Sequence, residues 1–337
     1  MPNPFGLSKV KNVVAVSSCK GGVGKSTVAA GLVRALSKKG LKVGLLDADI
    51  HGPSLPTLFN LPSVNVMVNE FKMAEPIEAE GIKLMSFGFL LGDAPAVMRG
   101  PIIANYIQQL LLQTDWGELD YLIIDMPPGT GDIQLTITQS IRLTGAVIVT
   151  TRQTLSLVDV ARGILMFEKV KVPILGIVDN MAFFVCDSCQ KKHYLFGGSQ
   201  TLENRFGVKT LVEIPIIPSL NLEEYMAQGA DALLKILAGE AGVSHKIPQV
   251  NFDHQNIHLI FSDGKKLVLD NRQVRLACQC AVCVNEITGK KILNPAQIRM
   301  DIAPKEILPL GNYAVGISWN DGHSSGIFPY TLLEQLG

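Results

Sequence analysis

The chain has 337 residues, and its 30 lysines and arginines balance 30 aspartates and glutamates to a net charge of zero. Hydrophobic residues at 47% and charged residues at 18% describe a globular chain and exclude a disordered one. That balance carries no electrostatic footprint for nucleic acid or an anionic membrane, and no apolar run reaches the roughly 20 residues of a membrane span.

The first expected element is a strand over residues 13–16, followed by Lys20-Gly21-Gly22-Val23-Gly24-Lys25-Ser26-Thr27. Val28, Leu32, Val33 and Leu36 then recur at helical spacing, and Gly40 supplies a stop. A strand that turns through glycines into a helix aims several backbone N–H groups at one point, where the helix dipole favours an anion. Gly21, Gly22, Val23, Gly24, Ser26 and Thr27 therefore form a phosphate cradle. Lys25 reaches the β- and γ-phosphates, and the Ser26 hydroxyl ligates Mg²⁺. The chain binds a nucleoside triphosphate. Lys20 cannot easily fold back onto its own nucleotide but can reach one held by a facing subunit, as an arginine finger does in trans. Cys19 stands where the motif usually has its first glycine. Either the backbone there suits a non-glycine residue, or the thiol has a redox role.

Further strands are expected over residues 43–46, 121–124, 147–150, 174–178 and 211–214, with helices over 102–113 and 158–169. Continuous Val/Ile/Leu runs suit strands buried on both faces of a parallel sheet. The expected fold is an α/β open, mostly parallel sheet with helices on both faces. In such sheets ligands sit beyond the carboxyl ends of the strands. Asp47, Asp49 and Asp125 end two of these strands. Asp125 suits the metal side, Asp49 the orientation of attacking water, and Asp47 can equally cap a helix. Asn180 and the backbone around Pro215 and Pro218 are placed to meet the nucleotide base.

After residue 242 the texture changes to short strands and turns, such as 258–261, the turn Ser262-Asp263-Gly264, 267–269 and 313–317. A boundary is expected between domains 1–244 and 245–337, the second small and β-rich. The opening residues lack the charged-then-apolar plan of a leader, so a cytoplasmic location is expected. There, six cysteines read as metal ligands or reactive thiols rather than disulfides.

Cys186 and Cys189 offer two ligands two residues apart, half of what tetrahedral zinc or an iron–sulfur cluster needs. A two-fold homodimer would bring the second pair to its axis, the same dimer that Lys20 requires. Cys278, Cys280 and Cys283 form a tighter cluster, and His323 lies about forty residues on. Cys₃His is a closed structural zinc set that would help fold a domain short of core. A second iron–sulfur site or a set of transfer thiols is the alternative. His51 and His193 read as surface or hydrogen-bonded histidines.

The phosphate-loop run, the segment from Asp47 to Ser54 and the segment from Asp125 to Asp132 together resemble the Mrp/ApbC iron–sulfur cluster carriers. These are deviant phosphate-loop ATPases related to the MinD and nitrogenase iron-protein types. Cys19 and Ser54-Leu55-Pro56-Thr57 look most like the plastid branch. The resemblance covers roughly residues 8–240 and implies an ATP-dependent dimer. Such a dimer receives a [4Fe–4S] cluster from a donor scaffold, holds it between the Cys186 and Cys189 pairs, and hands it to apo iron–sulfur client proteins. Three departures stand out: Asp187 replaces a usual proline, Arg152 another, and Asp179 a frequent glutamate. An N-terminal domain common in relatives is not expected. From about residue 250 the chain resembles the small domain that begins γ-butyrobetaine hydroxylase-type enzymes, through the Cys278, Cys280, Cys283 and His323 pattern, Gly311–Val315 and Trp319–His323. That likeness implies zinc and no hydroxylase activity. Two rivals stay open: a MinD/ParA-like ATPase switch, and a zinc-dependent interaction adaptor with weak ATPase.

Overall fold

The computed structural model describes residues 5–50, 52–61, 64–91, 100–129, 132–152, 154–195, 202–216, 222–239, 248–261, 263–280, 282–285, 290–310 and 313–337. His51, Thr130, Gly131, Pro218, Ser262, Gly311, Asn312 and the expected boundary at 244/245 lie outside these residues.

Chain order begins with β1 (Val10–Ser17), α1 (Lys25–Lys38), β2 (Val43–Asp47), α2 (Leu55–Leu58), β3 (Ile77–Ala79) and β4 (Ile82–Ser86). Then come α3 (Phe87–Leu91), α4 (Gly100–Leu112), β5 (Leu119–Asp125), α5 (Asp132–Ser140), β6 (Gly145–Thr150) and α6 (Thr154–Lys169). The first unit closes with β7 (Ile174–Val185), β8 (Lys192–His193), α7 (Leu202–Phe206), β9 (Thr210–Pro215) and α8 (Glu223–Leu237). The sheet runs β3-β4-β2-β5-β1-β6-β7, with β8 and β9 both on β7. The pairs from β4 to β7 are parallel, as is β7 with β9, while β3 and β8 pair antiparallel.

The apolar runs are buried on both faces, as parallel strands demand. In β1, Val14 and Val16 join the core under α1 and α8, whereas Val13 and Ala15 join the core under α4 and α5. Helix α1 buries Val28, Ala29, Leu32, Val33 and Leu36 along one stripe. Gly40, at φ +81°, closes it with an N–H to Ser37 O at 2.8 Å.

Strand β7 runs further than its valine-rich start predicts. Met181 adopts φ +54°, and the register against β9 shifts between Asp179 and Phe183. This irregularity re-aims the strand beyond the sheet edge, where Phe184 and Val185 pair with His193 and Lys192. The Cys186–Cys189 turn is therefore the tip of a hairpin fused to the main sheet.

The second unit contains β10 (Gln249–Phe252), β11 (Asn256–Ile260), β12 (Lys266–Asp270), α9 (Asn271–Leu276), β13 (Pro304–Leu310), β14 (Ala314–Trp319), β15 (Gly326–Pro329) and α10 (Tyr330–Leu336). β10-β11-β12 and β13-β14-β15 are antiparallel. Ile257, Leu259, Val274, Trp319 and Phe328 share its core with Cys278 and Cys283. It docks on the first unit, where Leu310, Tyr313, Ala314 and Ile327 pack with Val160, Ile164, Leu202 and Phe206. The Tyr313 hydroxyl donates to Glu168 Oε1 at 3.4 Å across this seam.

Candidate functional site

Gly22 and Gly24 sit at φ +80° and +82°, a region side chains rarely adopt. Gly24 is doubly constrained, because a Cβ there would strike the Asn180 amide. Asn180 is buried and donates from Nδ2 to Val23 O at 2.8 Å. It thus braces the phosphate loop from β7, a contact the sequence did not announce. Val23 and Lys25 are buried, Ser26 and Thr27 are half-buried, and Gly21, Gly22 and Lys20 face solvent. Cys19 fills the notch left by Gly163 on α6, where a Cβ would meet its sulfur. Packing against α6 accounts for a cysteine at that position.

The Lys25 ammonium pairs with Asp125 Oδ1 and lies 3.4 Å from Ser26 Oγ. Asp125 is fully buried, and its other oxygen, Oδ2, has no hydrogen-bond partner among the described residues. A buried carboxylate oxygen left open beside a phosphate cradle and a hydroxyl fits the donor set of a hard divalent cation. Burial raises the Asp125 carboxyl above its usual range, opposed by the Lys25 charge and hydrogen bonds from Lys25 and Ser26.

Asp47 pairs in register with Asp125 across β2 and β5. Its oxygens accept from Asp49 N at 3.0 Å, Ser54 N at 2.8 Å, Leu55 N at 3.3 Å and Ser86 Oγ at 3.2 Å. Burial and the neighbouring Asp125 charge push its carboxyl up to about 7. Asp47 therefore ties down the segment from Asp49 to the start of α2, the capping alternative of the two weighed for it. Asp49 is half-buried, close enough for its charge to raise the Asp125 carboxyl further.

Asn180 lies within β7 and Pro215 ends the neighbouring β9, in register with Phe183. Between this edge and the cysteine hairpin lies a network the sequence hid. Arg152, just past β6, donates from Nε to Asp179 Oδ2 at 2.6 Å and from its terminal nitrogen to Glu213. The Tyr194 hydroxyl donates to Glu213 Oε2 at 2.9 Å, and the Arg152 guanidinium lies 4.6 Å from the Tyr194 ring centre. Arg152 and Asp179, two departures from the family pattern, are thus each other's partners. Burial lifts the Asp179 carboxyl to about 6 even beside Arg152.

On the hairpin, Cys186 is half-buried and Asp187, Ser188, Cys189 and His193 are exposed. The Cys186, Cys189 and His193 donor atoms lie within 4.8 Å of one another. His193 is exposed, in agreement with its reading as a surface histidine, and the hairpin brings it beside the cysteine pair. The signal that could have found it is the apolar continuation Phe183-Phe184-Val185, followed by a polar turn and Lys192-His193-Tyr194.

The second cluster is compact. His323 Nε2 stands 3.3, 3.5 and 3.9 Å from the sulfurs of Cys278, Cys280 and Cys283. Bond lengths of ~2.3 Å to sulfur and ~2.0–2.1 Å to nitrogen place tetrahedral ligands about 3.6 Å apart, so the four donors fit one ion. Arg275 is buried and donates from Nη1 to Cys283 Sγ at 3.3 Å and from Nε to Asp321 Oδ2 at 2.9 Å. Hydrogen bonds from neighbouring thiols lower the Cys280 thiol and, with His323 beside it, favour a thiolate there. Contacts with Cys280 and Cys283 hold His323 up at about 9, against the cost of burial. No helix among the described residues is long and apolar enough to cross a membrane, and all six cysteines are free thiols.

A parallel sheet with a glycine-rich loop feeding α1, carboxylates at the strand ends and a buried lysine between them defines a P-loop NTPase. Residues 9–244 match the family described as ParA, NUBPL iron-transfer P-loop NTPase, and the chain belongs to that family. Residues 249–334 match the gamma-butyrobetaine hydroxylase-like, N-terminal family. The chain is 43% identical to the chloroplastic Fe-S cluster assembly factor HCF101 of Arabidopsis thaliana, over 99% of this chain and 66% of that protein. It is 50% identical to the iron-sulfur cluster carrier protein of Aquifex aeolicus, over 63% of this chain and 59% of that protein. A nucleotide-binding protein of Archaeoglobus fulgidus, solved with ADP and with cobalt, is 43% identical at a TM-score of 0.57, over 67% of this chain and 89% of that one. The chain spans about two thirds, or less, of the length of these two curated relatives.

Proposed function

We propose that this chain is an ATP-hydrolysing carrier that holds an iron–sulfur cluster and passes it to apo-proteins. Two copies would clasp one [4Fe–4S] cluster, received from a donor scaffold, between the Cys186 and Cys189 pairs. The observation that carries the reading is the placement of those two accessible thiols on an extension of β7, the strand whose Asn180 braces the phosphate loop. One hydrogen bond and a short run of β7 separate the cradle from the thiols.

Within each copy the backbone N–H groups of residues 21–27 bind the phosphates, and Lys25 leaves Asp125 to meet the β- and γ-oxygens. Ser26 Oγ and Asp125 Oδ2 are the groups that would hold Mg²⁺, which supplies charge neutralisation at the phosphates when bound. Asp49 orients the attacking water, and exposed Lys20 reaches the nucleotide of the facing copy. Asn180 and Pro215 border the base. Closure of two copies would then move both β7 hairpins together.

The second domain, residues 245–337, would hold structural zinc through Cys278, Cys280, Cys283 and His323. The ligand separations suit one ion, and Arg275 offsets the excess negative charge of three thiolates. Free thiols throughout support a reducing compartment, and we place the chain in the cytoplasm. Helix α10 carries no lysine or arginine and buries Tyr330 and Leu333.

Anaerobic reconstitution with iron and sulfide tests this. Wild-type chain should take up one cluster per two copies, together with zinc. Cys186→Ser with Cys189→Ser should lose the iron and sulfide and keep the zinc. Uptake of zinc alone by the wild type would favour the adaptor reading.

A further inference from the structure

We propose that Cys186, Cys189 and His193 of a single copy form a mononuclear site for a thiophilic divalent cation, with its fourth coordination position open to solvent. The site shares two cysteines with the carrier reading but requires neither a second copy nor sulfide.

The ladder geometry brings the third donor into place. Phe184 pairs with His193, and Cys186 N bonds Lys191 O at 3.0 Å. Cys186 and His193 are then diagonal neighbours on one face of an antiparallel ladder, within reach of each other's side chains. The imidazole stacks on Phe184 at 5.0 Å and 20° between planes, which fixes its direction. Backbone N–H groups of Ser188 and Cys189 turn toward the Cys186 sulfur. Gln190 closes the turn at φ +56°, with its N–H on Cys186 O at 2.8 Å. A non-glycine residue held in the left-handed region shows how tightly this turn is specified.

All three donor atoms already lie within 4.8 Å of one another. A single tetrahedral ion needs about 3.6 Å between sulfur and nitrogen, so the donors need to draw only about 1 Å closer. Two thiolates and a neutral imidazole cancel the charge of a divalent ion. Soft sulfur with nitrogen selects zinc or ferrous iron over magnesium or calcium. Three protein ligands with one vacancy make an exchange site, because an incoming sulfur ligand can attach before any protein ligand leaves. Exposure of Cys189 and His193 leaves that approach unobstructed on this copy.

Cobalt(II) titration of the full chain tests the proposal, with the Cys₃His cluster first filled by one equivalent of zinc and the protein held at a concentration where sedimentation shows single copies. The wild type should take up one cobalt with a thiolate-to-cobalt absorption band. Cys186→Ser with Cys189→Ser should take up none. His193→Ala should bind at least about 100-fold more weakly, since even outer-shell partners of a metal ligand account for up to about 100-fold. His193→Cys should restore binding with a more intense thiolate band. Unchanged cobalt affinity and spectrum in His193→Ala would overturn the proposal, as would uptake only by dimers. Neither result bears on the carrier reading, which fails separately if anaerobic wild type takes up no iron and sulfide.

Discussion

The molecule carries two cysteine–histidine clusters that differ in almost everything except their atoms. In the second unit Cys278 and Cys283 are 0% and 1% exposed, four donors converge, and a buried arginine answers the thiolate charge. On the β7 hairpin Cys186 is half-buried, Cys189 and His193 face water, and lysines 191 and 192 beside them are exposed. A metal in the first environment has no vacancy and no path for a competing ligand. One in the second has both. Donor type decides which metals bind, while burial and donor number decide whether they leave. Filled as proposed, the two clusters would let one chain keep a metal for its own folding and offer another for exchange.

The sharpest way to break this contrast is to open the closed cluster. Cys283→Ser should release its zinc and unfold the second unit, because structural zinc contributes on the order of 10 kcal/mol. Metal analysis and limited proteolysis would read this directly. A second unit that stays folded without metal would make the two clusters alike. Nucleotide should act on the hairpin alone. Lys20→Ala is expected to cut ATP hydrolysis by roughly 10³-fold or more while ATP binding persists, and zinc content should not change. Equal loss of binding and hydrolysis would remove the trans role.

A further test concerns the seam between cradle and hairpin. Burial lifts the Asp179 carboxyl from 3.8 to about 6, so folding favours its protonated form. That contribution is complete below about pH 4 and lost as pH rises through about 6, a difference of about 3 kcal/mol. Asp179→Asn fixes the uncharged form, so the variant should gain stability on wild type as pH rises over this window. Unfolding curves across pH 4–8 would check it. Lower stability at every pH would mean that the Arg152 pair outweighs burial.

The phosphate cradle was legible because a glycine loop between a strand and a helix is a local pattern, written in consecutive residues. The Cys₃His set was legible for the same reason up to its fourth member, His323, which chemistry rather than spacing supplied. The bracket of Arg152, Asp179, Glu213 and Tyr194 was not legible. Its members sit just past β6, on β7, on β9 and on the hairpin, and only the sheet order makes them neighbours. The nearness of His193 to the cysteine pair was not legible, because the valine-rich run predicts a strand that ends at residue 178. The strand instead bends at Met181 and continues to Val185, a tertiary irregularity that no periodicity announces. Asn180 is expected at the nucleotide base from sequence; the structure shows its amide bracing Val23 O, a long-range bond invisible in sequence.

The smallest expected effect tests whether the bracket holds the hairpin in place. Tyr194→Phe removes one hydrogen bond to Glu213 at a partly exposed site and keeps the ring over Arg152. Such a bond contributes about 1 kcal/mol, so the hairpin should sample displaced positions several-fold more often. Cluster lifetime on the reconstituted chain should shorten by a similar factor, whereas zinc in the second unit should exchange at its wild-type rate. Arg152→Gln removes both ion pairs and should shorten that lifetime further, through the same hairpin. If both variants keep wild-type cluster lifetimes, the hairpin is positioned by the β7–β8 ladder alone, and coupling between cradle and cargo must run through Asn180.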